Sequence, residues 1–184
     1  MVPAASPGRV RRHPVAPVER GSRQAPYRGG VAAQDGNGWV ACRCGVRHWG
    51  RYGAAGLLLV RRPGPQVLLQ LRAAWTHEGG SWAVPGGARD SHEDVVAAAL
   101  REAHEEAGVE ADRVDVLGEL LGVDHTDWRY TYVVALAAGD LTLSGPTAES
   151  EEIRWVDTSA VAELSLHPGF AGAWPRLRSL LAPS

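Results

Sequence analysis

A chain of 184 residues can bury one ordinary core, so a single domain with extensions is expected and two full domains would be cramped. No apolar run approaches the roughly 20 residues that cross a bilayer, and no hydrophobic signal core precedes a small-residue cleavage site, which argues against a membrane or secreted protein and for a cytoplasmic one. The net charge of −2 hides an asymmetry: residues 1–72 carry 12 Arg against Glu19 and Asp35, while residues 73–184 carry 7 Arg against 19 acids.

That basic half would suit a nucleic-acid partner, but its arginines are scattered among Pro and Gly with no helix face, so none is expected. From Met1 to Gly38 the composition of Pro, Gly, Arg and Ser cannot offset its own ordering entropy, and residues 1–38 read as a disordered extension before one domain over 39–184. Cys42 and Cys44 are the only cysteines, and their spacing suits no mutual disulfide. With His48 they form half of a zinc site in the run CRCGVRH; four ligands are the norm, so His167 or a second subunit would have to complete it. The alternative is a turn entering the first strand.

Ala54 to Arg62 and Gln66 to Leu71 read as two strands joined at Pro63-Gly64-Pro65. Trp82 to Val84 is a short strand ended by Pro85-Gly86-Gly87. Ser91 can cap a helix running to Ala107, with Gly108 as its stop. Val96, Ala99, Leu100, Ala103 and Ala107 share one side of it at helical spacing and should face the core. Strands follow at Val114 to Val123, Tyr130 to Ala138 and Ile153 to Val156, then one or two helices between Ser159 and Leu181, interrupted at Pro168 and Pro175. Strands around one strong helix make a layered α/β or α+β domain whose sheet order stays open.

Glu102, Glu105 and Glu106 fall within one arc of that helix, away from the apolar stripe. Like charges at this spacing repel, so the cluster needs a counter-charge, and a hard dication bound by carboxylate oxygens supplies one. Arg101 lies four residues before Glu105 and offers the plainer alternative of an ordinary ion pair on a solvated face.

The longer pattern Gly87, Glu93, Arg101-Glu102, Ala103, Glu105-Glu106, Gly108, Val109 resembles the signature of the Nudix family at all seven fixed positions, in a 23-residue box. Looser likeness extends over about Ala54 to Leu181; Ala103 stands where the family more often has a larger aliphatic residue. The resemblance implies an α/β/α sandwich with a mixed central sheet and a pyrophosphohydrolase using Mg2+ or Mn2+. It implies that Glu102, Glu105 and Glu106 are metal-coordinating catalytic carboxylates, with Glu102 first choice to position or deprotonate the attacking water, and that Gly87 lends its carbonyl to the metal. Glu93 and Arg101 would form a structural ion pair. Glu149, with Glu152 second, would be an additional ligand or base, against the alternative of a solvated acidic turn.

The resemblance also implies a small-molecule nucleotide as partner, attacked by water at phosphorus without a covalent enzyme intermediate. The proline that tends to follow the box in ADP-ribose hydrolases is missing between Val109 and Pro146, as is the NADH-hydrolase motif. A nucleoside triphosphate, such as the oxidised 8-oxo-dGTP, is therefore favoured over ADP-ribose or a sugar nucleotide, and turnover over a nucleotide-binding sensor. Trp128 with Tyr130, and Trp75, are candidates to stack on the base, although core packing is the commoner fate of a tryptophan. His92, His104 and His125 are expected to be exposed rather than catalytic. A homodimer is compatible with these features; a membrane partner is not expected.

Overall fold

A computed structural model describes residues 34–181. The chain opens with a small antiparallel hairpin, β1 (Trp39–Ala41) and β2 (Arg47–Trp49). Next come β3 (Ala54–Arg61), β4 (Gln66–Arg72), the short β5 (Trp82–Ala83) and β6 (Gly86–Ala88), helix α1 (Val95–Ala107), β7 (Val114–Asp124), β8 (Arg129–Ala137), β9 (Ser150–Asp157) and helix α2 (Pro168–Leu181). The expected extension over 1–38 falls mostly outside the described residues. Residues 34–38 are described, and there the backbone N–H groups of Gln34 and Gly36 donate to the buried Asp90 carboxylate at 3.0 and 2.8 Å.

The main sheet is mixed. β3 and β8 run parallel over seven paired positions, and every other pairing in it is antiparallel. β3 and β4 pair only beside their turn, at Val60↔Val67 and Arg61↔Gln66. Beyond that point they splay, and the segment Trp82–Ala88 fills the gap: β5 pairs with β4 at Gln70 and Leu71, and β6 pairs with β3 at Ala54–Gly56. Gly86 and Gly87, read from the sequence as a strand terminator, thus belong to a strand themselves; without side chains they fit against β3 where a Cβ at Gly86 would collide with the Gly56 backbone.

Alternation of side chains gives the sheet two apolar faces, as expected for strands buried on both sides. Leu58, Val60, Val67, Leu69, Tyr132 and Val134 pack on one face with Phe170, Trp174, Leu177 and Leu181 of α2. Leu57, Leu59, Leu68, Val133 and Ala135 pack on the other with Ala98, Ala99, Ala103 and Ala107 of α1. The small alanine face, Ala103 included, is fully buried. The result is an α/β/α sandwich.

Several boundaries differ from expectation: β9 begins at Ser150 rather than Ile153, so Glu151 and Glu152 stand in a strand. Asp94, not Ser91, caps α1: its side chain accepts from Ala97 N at 2.7 Å, and the helix begins at Val95. The Ser91 N–H instead donates to Asp35, and Glu93 is used by the preceding turn. Pro168 and Pro175 do not interrupt the last helix: Pro168 opens α2, where its missing N–H goes unneeded, and Pro175 lies within it.

Candidate active site

The splay between β3 and β4 opens beneath one side of α1, and there the box converges. Glu106 reaches down into it: its Oε2 accepts from Gly86 N at 2.7 Å and from Gln70 Nε2 at 2.8 Å. Burial pushes the Glu106 carboxyl up to about 8, against the opposing pull of the Gln70 hydrogen bond. Glu102 lies beside Gly87, where an added Cβ would stand 2.6 Å from its carboxylate and displace it from this position. Burial likewise raises Glu102 to about 7, although Arg101 works to lower it. Glu105 is the most open of the three, its side chain 45% exposed.

Arg101 is the hub of this corner. It clasps Glu93 through two bonds of 2.7 and 3.0 Å, holds the Ala88 carbonyl at 2.9 Å, and reaches Glu102 at 2.7 Å and Glu105 at 3.4 Å. The side chains of Arg101 and Glu93 are each only 8% exposed. Burial opposes charge on Glu93, but hydrogen bonds from Arg101 and the Asp90 N–H outweigh it and hold its carboxyl below the usual range. The plain ion-pair alternative for Arg101 and the tie to Glu93 thus coexist in one fork.

These carboxylates line a cavity of about 810 Å³. Its walls include Gly87, Arg101, Glu102, Glu105, Glu106, Glu149, Trp75, Trp128 and Tyr130, whereas Glu93, Ala103, Gly108 and Val109 of the box do not line it. Glu149 lies near enough that its charge acts on Glu102. Glu152 instead pairs with Arg154 at 3.2 Å, and Glu151 accepts from Ala74 N.

The aromatic wall has an order the sequence did not suggest. The His48 ring stacks at 4.6 Å on both His125 and Trp128, and Trp128 donates from its indole to the Trp49 carbonyl at 2.9 Å. Tyr130 tilts against Trp128 and Tyr132, with burial raising its phenol well above the usual value. Trp75, 70% exposed, sits at the rim with its indole on the Ala148 carbonyl. His125 is half-buried in the stack rather than exposed, while His92 and His104 are exposed.

Two residues of the corner escaped the sequence reading. Gln70, fully buried, is the one polar member of the run VLLQL, and that interruption was the available signal. Asp90 gave none, since its partners are backbone groups 54 and 56 positions away. The zinc candidates Cys42, Cys44 and His48 do cluster, with ligand atoms all within 4.8 Å of one another; His167 is not among them and accepts from Gly169 N instead.

The donor set fits a hard dication. Arg101 bonds Glu102 and Glu105 and the charge of Arg72 acts on Glu106, yet burial still drives Glu102 and Glu106 toward neutrality, and a divalent cation bound by oxygen would relieve both the desolvation and the mutual repulsion. The missing Cβ at Gly87 leaves its backbone open to that same corner.

Sandwich and box together define a Nudix hydrolase: the NUDIX domain matches residues 50–177, and the chain belongs to this family of pyrophosphohydrolases. It is 56% identical over 153 residues, 79% of this chain and 70% of the relative, to a Mycobacterium tuberculosis (strain H37Rv) protein named "Putative 8-oxo-dGTP diphosphatase 3". It is 41% identical over 156 residues to a Bifidobacterium longum nucleoside triphosphate pyrophosphatase/Nudix hydrolase fusion protein, of which it spans 32%. The crystal structure of the Nudix hydrolase RenU from M. smegmatis superposes with a TM-score of 0.74 at 49% identity, covering 79% of this chain and 95% of that one. Nudix hydrolases generally use Mg2+ or Mn2+. Among the described residues no helix is long and apolar enough to cross a membrane.

Proposed function

We propose that this protein hydrolyses a nucleoside triphosphate to the monophosphate and pyrophosphate, with an oxidised purine nucleotide such as 8-oxo-dGTP as the first substrate to test. The carrying observation is that Glu102, Glu105 and Glu106 line one cavity together with Trp75, Trp128 and Tyr130. The name of the mycobacterial relative supports the choice of substrate.

Glu102, Glu105 and Glu106, with the Gly87 carbonyl, would hold Mg2+ or Mn2+, and Glu149 is the candidate for a further ligand or base. When bound, the cation offsets charge developing on the phosphate oxygens. Gln70 and the Gly86 N–H fix the Glu106 carboxylate in place. Arg101, anchored on Glu93, holds Glu102 against Gly87 of β6. Glu102 positions the attacking water and takes its proton at a carboxylate oxygen, a geometry-first role for a general base. Trp128, with Tyr130 behind it and Trp75 at the rim, offers indole and phenol faces for the base.

The test is product identification from 8-oxo-dGTP, dGTP, ADP-ribose and a sugar nucleotide in the presence of Mg2+. Monophosphate plus pyrophosphate is expected, with kcat reduced about 10²–10⁴-fold in Glu105→Gln and Glu106→Gln. Sugar phosphate as the dominant product would replace the proposed substrate, and tight binding with equal inactivity of parent and variants would replace hydrolysis by sensing.

A further inference from the structure

The β1–β2 hairpin holds chemistry that the hydrolase site does not use. Val40 pairs with His48 across it, and Cys42 N donates to Val46 O at 3.2 Å, so the loop 43–45 turns back with Gly45 at a φ of 86°. This turn brings Cys42 from the end of one strand, Cys44 from the loop and His48 from the opposite strand to one spot. The Cys44 Sγ to His48 Nε2 distance is 3.1 Å, and the Cys44 N–H points at Cys42 Sγ at 3.5 Å. Both thiols are free.

From these positions we propose that Cys42, Cys44 and His48 form a binding site for a thiophilic divalent cation, zinc in the first instance, separate from the carboxylate site and abutting the aromatic wall of the cavity.

The geometry is near what zinc requires. Zn–S of about 2.3 Å and Zn–N of about 2.0–2.1 Å at tetrahedral angles set S···S near ~3.8 Å and S···N near ~3.6 Å. The three ligand atoms here lie within 4.8 Å of each other, so rotamer adjustments rather than backbone movement close the site. The surroundings are built as a support: Arg43 clamps Asp127 through its guanidinium at 2.6 Å and its N–H at 2.9 Å, and Cys42 Sγ donates to the His125 carbonyl at 3.0 Å. This pins the hairpin to the turn between β7 and β8. With Arg43 committed to Asp127, no arginine bonds either sulfur among the described residues.

Two thiolates and an imidazole prefer zinc over magnesium, the reverse of the glutamate set, so the two sites would not compete for one ion. Binding releases the thiol protons to solvent and leaves the fourth position to water. The His48 ring is shared: its Nε2 faces Cys44, while its face lies on Trp128. A bound ion would therefore stiffen the wall against which the base is proposed to stack. The metal site itself stands whether or not that substrate is right.

The experiment is metal analysis of the tag-free full chain after exposure to Zn2+ and desalting, with Co2+ as a spectroscopic probe. One zinc per chain is expected, and Co2+ should give the near-ultraviolet charge-transfer absorption of thiolate ligation. That absorption should survive Glu105→Gln and vanish in Cys42→Ser and Cys44→Ser, with circular dichroism checking that the variants fold. Absence of retained zinc and of the thiolate band in the parent overturns the proposal, as does zinc that persists in a folded double-serine variant.

Discussion

Arg101 shows how much a single side chain settles here. It is nearly buried, its charge is matched first by Glu93, and only its remaining N–H groups face Glu102 and Glu105. Truncation would leave Glu93 buried and unpaired, and breaking a buried pair by removing one partner typically costs about 3–5 kcal/mol. Arg101→Ala should therefore lower unfolding stability by about that much in urea titration. A loss below about 1 kcal/mol, the range of an exposed pair, would mean that the fork is solvated in solution.

At the scale of elements, β4 matters as much as the helix that carries the glutamates. Its departure from β3 makes room for β5 and β6, and the residue at the parting, Gln70, donates to Glu106 while its own carbonyl oxygen has no partner. Gln70→Leu keeps the volume and removes that orphaned acceptor, so stability should change by less than about 1.5 kcal/mol. Glu106 loses a donor, and kcat together with Mn2+ affinity should fall about 10–100-fold; unchanged Mn2+ affinity would confine Gln70 to packing. The box, the hairpin over 54–72 and the apolar side of α1 were all legible in the sequence, because each rests on local spacing. The splay was not, since it is a relation between two strands and an inserted segment that no period records. The start of α1 was misplaced for a similar reason: Ser91 and Asp94 are equally good caps in isolation, and only the tertiary engagement of Ser91 and Glu93 selects Asp94.

For the molecule as a whole, the acidic corner links protonation and metal to stability. Burial raises Glu102 to about 7 and Glu106 to about 8, above the roughly 4.3–4.5 of a free glutamate. The native state then holds these protons more tightly than the unfolded chain. Their contribution to stability is complete below the unfolded value and is lost as pH rises through 7 and 8. Metal-free protein should show Tm falling from about pH 5 to about pH 8.5, and added Mg2+ or Mn2+ should raise Tm most at the upper end. A Tm independent of pH without metal would show that solvent already relieves the two carboxylates.

The hydrogen bonds from Gln34 and Gly36 to Asp90 join stretches of chain more than fifty positions apart, two residues beyond the end of β6. These two bonds fasten the residues ahead of the first hairpin to the segment that follows β6. A version trimmed to begin at Trp39 would strip Asp90 of the amide donors of Gln34 and Gly36, so the shortest sound form of this enzyme is expected to start upstream of its first strand.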